Sequence, residues 1–185
     1  MSFILGKKIK MSQIWEDEKV IPVTVIKAEP NIVNLIREEA KHGYQAVQLA
    51  FKSGKKNILR EFRISSDNEY KKGDVVDVSI FAPQDKVKVT SRSRGLGFQG
   101  VVKRHGFAGA PKTHGTKDQL RASGSIGAGG VGRVFKGTRM AGRTGGDTIT
   151  VKNMTVITVD KENNELKIKG CVPGHNGSLV RIVKS

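Results

Sequence analysis

The chain has 185 residues, with 33 Lys and Arg against 17 Asp and Glu, a formal charge of +16, and only 5% aromatic residues. That length suits one domain with an extension or two small domains, and the cation excess points to a polyanionic partner, nucleic acid first and an anionic membrane second. A single cysteine, Cys171, excludes an intrachain disulfide and a multi-cysteine metal site, and the scarcity of aromatics weighs against a surface built to stack single-stranded bases.

The opening segment MSFILGKKIKM has three consecutive apolar residues, too few for a signal-peptide core, and no later run approaches a membrane span. A soluble, reducing, cytoplasm-like compartment is therefore expected. Trp15 and Phe62 read as core or core-edge residues, and the acidic runs Glu16-Asp17-Glu18 and Glu38-Glu39 as solvated faces. Apolar residues then recur with period two in VIPVTVIKAE (20–29), YQAVQLAF (44–51), DVVDVSIF (74–81) and KVKVT (86–90). The same alternation returns in MTVITV (154–159), ELKIKG (165–170) and SLVRIV (178–183), with DKENNE as the hairpin connection between the first two. Short runs of this kind, broken by Gly, Asp and Asn, indicate a barrel or a sandwich. NIVNLIREEAKHG fits a helix nearly as well as a strand. Cys171 reads as a buried structural thiol.

Between the two patterned halves lies a different polymer. Ser91 to Gly146 contains eleven Lys or Arg, one acid (Asp118) and fifteen of the 22 glycines, a net +10, whereas the remaining residues carry +6. Glycine costs backbone entropy on ordering and like charges repel, so such a segment needs a partner that supplies negative charge. GLGFQG (95–100) fits a dinucleotide fingerprint, but SRSR precedes it where an apolar strand should lead in, and VVKRHGF is too short and glycine-broken for the helix. GTRMAGRT (137–144) nearly fits a phosphate loop, with Arg143 in place of the lysine and GGDTITV following where a helix belongs. His105 and His114 lack nearby partners for a metal or for base catalysis, and read as contacts to RNA or as solvated side chains.

GSIGAGGVGRVFKGTRMAG, taken with THG (113–115) and GFQGVVKRHGF (97–107), resembles the universal large-subunit ribosomal protein three family in its bacterial form. GKKIKMSQIW, VIPVTVIKAEPN, GYQAVQLAF, KGDVVDVSIF and TVITVDKENNELKIKGCVPGHNGSLVRI extend the resemblance over nearly the whole chain. There are departures. Lys10 and Ser12 stand where the family usually has Gly and Thr. The stretch from Lys56 to Arg60 is shorter than usual, as if a surface insertion were missing. Leu120, Ser123 and Val131 replace a usual His, Pro and Pro. Arg143 occupies a position that in some members is a methylated glutamine.

The resemblance implies a mainly β fold: a closed β-barrel core with a long Gly/Arg/Lys-rich irregular extension and little helix. Residues 1–90 and 147–185 would form the barrel domain, and 91–146 a loop that penetrates ribosomal RNA towards the peptidyl transferase centre. The expected role is a structural constituent of the large ribosomal subunit that supports early assembly and carries out no chemistry. The expected partners are large-subunit rRNA and neighbouring ribosomal proteins, with no membrane, small-molecule substrate, metal or cofactor. The candidate rRNA-binding residues are Arg92, Arg94, Lys103, Arg104, His105, Lys112, His114, Lys117, Arg121, Arg133, Lys136, Arg139 and Arg143, with Lys7 and Lys8 from the barrel side. Gly97, Gly137, Gly142 and Gly145 are expected to allow close backbone approach. The rival readings are a basic DNA-binding or nucleoid protein, which should show a recognition helix, and a nucleotide-binding enzyme.

Overall fold

Six strands close into a barrel in a computed structural model that describes residues 2–54, 56–64 and 70–185. They are β1 (Phe3–Glu16), β2 (Lys19–Lys27), β7 (Lys86–Arg92), β10 (Thr148–Asp160), β11 (Glu165–Lys169) and β12 (Leu179–Lys184), in the order β1-β12-β7-β10-β11-β2, with every neighbour antiparallel. The alternation read from the sequence supplies the lining: Ile4, Ile26, Val87, Val89, Val156, Leu166, Ile168, Val180 and Ile182 all point into one buried cluster. Each such side chain contributes roughly 1.5–3 kcal/mol by leaving water.

A second sheet, not anticipated from the alternation, has the order β5-β4-β3-β6, with β3 (Asn31–Arg37), β4 (Ala46–Ser53), β5 (Lys56–Arg63) and β6 (Val75–Val76). Successive strand residues face opposite ways, and in β1 both directions are used. Ile4 enters the barrel, while Phe3 and Leu5 join Val33, Val47, Leu49, Phe51, Phe62 and Val76 in a second buried cluster. The rings of Phe3 and Phe62 stack with centroids 4.5 Å apart. On the second sheet, Glu61 accepts hydrogen bonds from Tyr44 Oη (2.8 Å), Arg37 Nε (2.8 Å) and Gln48 Nε2 (3.1 Å). The Tyr44 and Arg37 bonds hold its carboxyl below the usual carboxylate range.

Several expectations are corrected. NIVNLIREEAKHG divides: its first seven residues form β3, and Glu39–His42 makes one helical turn, α1, ended by Gly43 in the left-handed region (φ 74°). DVVDVSIF is mostly not a strand, because the Asp77 carboxylate accepts the Ser79 N–H at 2.8 Å and winds Val78–Ile80 into a 3-10 turn. Val78 and Phe81 are nevertheless buried. Trp15 is 66% exposed rather than core. It pairs with Val20 in an arm of β1 and β2 that continues past Val23, the last β2 residue paired with β11, so among the described residues no third strand covers it. Cys171 is exposed, since Val172 takes the inward position after β11.

By contact, the chain separates into two compact units, one comprising the residues up to Ser93 together with Thr148–Ser185, the other Arg94–Asp147. The first holds both sheets just described.

Candidate nucleic-acid interface

The second unit is rooted in a short ladder. β8 (Gly95–Gln99) pairs antiparallel with β9 (Gly142–Gly145), with a register shift between Gly95 and Gly97. Gly100 leads into α2 (Val101–His105), a five-residue helix closed by Gly106 in the left-handed region. The glycines of the dinucleotide-like pattern thus lie in and beside a paired strand, and the helix is far too short to cradle a pyrophosphate. GTRMAGRT likewise runs into β9 rather than into a helix. From Gly106 to Ala141 the described backbone forms turns and irregular loops. One is pinned where Ala110 N–H donates to Leu120 O at 2.9 Å.

The candidate residues fall into groups. Arg92, Arg94, Lys103, Lys112, His114, Lys117, Arg121, Arg133, Lys136, Arg139 and Arg143 have exposed side chains. Among the described residues, Arg94, Lys103, Lys112, Lys117, Arg121, Arg133, Lys136, Arg139 and Arg143 enter no ion pair. Arg104 and His105 are partly engaged within the unit: Arg104 Nη1 donates to Met140 O at 2.7 Å, and His105 Nε2 lies 3.1 Å from the same oxygen. They fasten α2 to the carbonyl that precedes Ala141-Gly142, and Arg104 retains further N–H groups on its guanidinium. Lys7, half-buried, is paired in the barrel with Leu179 and Lys27.

Lys8 differs from the surface cation expected. It is buried, and its ammonium donates to Val172 O at 2.7 Å and Gly174 O at 3.2 Å. Counted by twos from Ile4 and Gly6, Lys8 falls on the inward face of β1, where it meets the loop before β12; the register shift of the β1–β2 ladder comes only after it, between Lys8 and Lys10.

The four singled-out glycines also divide. A Cβ at Gly145 would run into Arg94 O, and one at Gly142 would sit 2.7 Å from Arg104 Nη1, so both have reasons within the chain itself. Gly97 (φ 70°) and Gly137 (φ 86°) have open space where a Cβ would be, and left-handed backbone is what they supply.

Two apolar side chains escaped the sequence reading. Phe98 is 76% and Phe135 56% exposed, and Phe98 is the cross-strand partner of Arg143. The low aromatic total hid them; the available signal was GLGFQ, with Leu96 and Phe98 on alternate residues beside a cationic strand. Among the described residues, no three His, Cys, Asp or Glu side chains converge as metal ligands, and no helix is long and apolar enough to cross a membrane.

A β-barrel joined to a glycine-rich unit of exposed, unneutralised cations is the make-up of a basic structural protein whose charge calls for a polyanion. Comparison with known proteins gives the lineage. The family model described as Ribosomal protein L3 matches residues 47–167. The large ribosomal subunit protein uL3 of Chloroherpeton thalassium is 45% identical over 208 aligned positions, covering 100% of both chains. That of Herpetosiphon aurantiacus is 44% identical, over 98% of this chain and 95% of the relative. That of Salinispora tropica is 43% identical, over 97% and 91%. The chain belongs to the ribosomal protein L3 family. The 208 aligned positions against 185 residues mean that the Chloroherpeton relative carries residues this chain lacks.

Proposed function

We propose that the protein is a structural constituent of the large ribosomal subunit, residing with the ribosome in the cytoplasm. It binds large-subunit rRNA, meets neighbouring ribosomal proteins, supports early subunit assembly and positions RNA near the peptidyl transferase centre. The observation that carries this reading is the set of exposed cations in Arg94–Asp147 that, among the described residues, enter no ion pair, in a chain whose relatives are large-subunit proteins. Each phosphate contact releases condensed counterions, which supplies sequence-independent affinity. Arg139 and Arg143 clamp phosphates on either side of Met140-Ala141-Gly142, while Phe98 and Phe135 stack on unpaired bases. Residues 91–146 act as the RNA-penetrating extension and the flanking segments as its barrel anchor. The role is one of positioning, and the protein performs no chemistry itself.

Ultraviolet crosslinking in cells, followed by sequencing of the attached RNA, tests this. Large-subunit rRNA should dominate, and the crosslinked peptides should come mainly from 91–146. Equal affinity of the purified protein for duplex DNA and folded rRNA would favour the nucleoid reading instead. Deleting 97–142 behind a short Gly-Ser link should abolish most RNA binding and leave cooperative thermal unfolding; loss of the transition would refute the division of labour.

A further inference from the structure

Beyond Val23 the hairpin of β1 and β2 runs on as a two-stranded arm that carries the chain's one tryptophan. Paired residues share a face, and the register sets Gln13 opposite Pro22 and Trp15 opposite Val20, with Met11 on the same side. Met11, Trp15, Val20 and Pro22 are all exposed. Turned the other way, Ile14 and Ile21 face each other across the ladder and are half-buried. A ribbon of two strands is marginal in water by itself and has no interior for either apolar row.

The two edges of the arm differ. On β2, Pro22 has no N–H to offer, and its carbonyl already accepts the Gly170 N–H at 2.8 Å. On β1, β12 pairs only as far as Lys7, and the loop before it bonds Lys8 through Gly177 and Ser178. From Ile9 to Glu16 the edge of β1 away from β2 has no backbone partner among the described residues. An open edge of that length, free of proline, is a template for a further strand.

Charge decides what kind of strand. The chain as a whole is +16, yet Ile9 to Pro22 holds two lysines against three acids, and those acids, Glu16, Asp17 and Glu18, are consecutive at the tip. All three are exposed, and among the described residues none enters an ion pair. Such a tip repels phosphate and attracts cations, the reverse of the glycine-rich unit.

We propose that the arm is a protein-docking surface whose occupant is an extended segment of a strongly basic large-subunit protein. The segment adds to the free edge of β1, extends the apolar row of Met11 and Trp15 with alternate side chains of its own, and sets its cations over Glu16, Asp17 and Glu18. This rests on the proposed place in the large subunit and deepens it, by assigning the surface, the mode and the partner's chemistry.

The test uses the full chain with the photocrosslinker p-benzoylphenylalanine in place of Gln13, on the face of Met11 and Trp15. It is expressed in cells, and the large subunits are purified and irradiated. The adduct should resist nuclease and yield to protease, and its mass spectrum should identify a Lys/Arg-rich large-subunit protein crosslinked within an extended segment. Adding Glu16→Lys, Asp17→Lys and Glu18→Lys together should cut its yield about tenfold, because like charges would then face each other across the contact. Trp15→Ser should lower the yield as well. Both variants should melt as the native chain does and still enter subunits, since these side chains lie outside the barrel core. An adduct to rRNA, to a second copy of this chain or to a protein that is not basic would overturn the proposal. So would no adduct in irradiated subunits, or a yield indifferent to the charge reversal. If the native chain does not sediment with large subunits, the proposed function itself fails, a result distinct from failure of the arm alone.

Discussion

Replacing Lys8 by Met should destabilise the barrel rather than weaken RNA binding. Methionine retains the length and volume of the apolar stem but removes, from a residue only 4% exposed, an ammonium that donates to Val172 O at 2.7 Å and Gly174 O at 3.2 Å. A hydrogen bond from a charged donor contributes about 1.5–3 kcal/mol net. The 3.2 Å bond is the weaker of the pair, so a combined loss of about 2–4 kcal/mol is expected. The backbone bonds from Lys8 N to Ser178 O and from Gly177 N to Lys8 O remain, so the loop loosens without detaching. For a protein of this size each kcal/mol moves Tm by about 2–4 °C, giving a fall of about 5–15 °C. Thermal unfolding followed by circular dichroism measures it, with rRNA binding across a salt series in parallel. A Tm unchanged within about 2 °C, together with a salt slope reduced by a full phosphate contact, would mean that the ammonium faces RNA and would refute the assignment. Lys7→Met, one residue away and half-buried, is the control and should leave Tm nearly unaltered.

Gly145→Ala should disorganise the base of the glycine-rich unit, because a left-handed backbone (φ 75°) costs an L-residue about 1–2 kcal/mol before the clash with Arg94 O is counted. Hydrogen exchange should show faster amides in β8 and β9 with those of the barrel unmoved; native protection in that ladder would contradict the close approach described. Glu61, whose folded pKa lies below its unfolded value through the bonds from Tyr44 and Arg37, lends stability that is fully present above the unfolded carboxylate pKa and is lost as pH falls through the folded one. Denaturant titrations from pH 7 downward should therefore give a shallower acid limb for Glu61→Gln than for the native chain, and identical limbs would show that the network does not form in solution.

The barrel was legible because it depends on a local signal. Val87 and Val89, Leu166 and Ile168, and Val180 and Ile182 alternate in the sequence as they do on the barrel wall. Where two layers compete for a strand, the signal fails. Phe3, Ile4 and Leu5 form an uninterrupted apolar run because both faces of β1 are covered, and the second sheet responsible is invisible in the alternation. DVVDVSIF alternates convincingly, yet a single aspartate side chain outcompetes the ladder at Ser79. At the candidate interface, the charge excess of 91–146 was plain, but not which cations the chain itself engages. GKKIKM read alone does not distinguish Lys7 from Lys8; the parity of β1 counted from Ile4, a tertiary fact, is what turns Lys8 inward.

The barrel is sealed by β1 lying against β12, with Phe3 opposite Val183. The seam therefore joins β1 to β12, which is synthesised after every other strand of this barrel. Until β12 emerges, β1 and β7 each lack a neighbour, and Ile4, Val87 and Val89 have no complete interior to enter. Closure is thus a late event set by the long loop between β1 and β12, which slows folding far more than hairpins such as β10–β11 do. The basic segment is made well before that moment, so the nascent chain displays its cations while their anchor is still open, a state in which early capture by RNA would guard unpaired strand edges against one another.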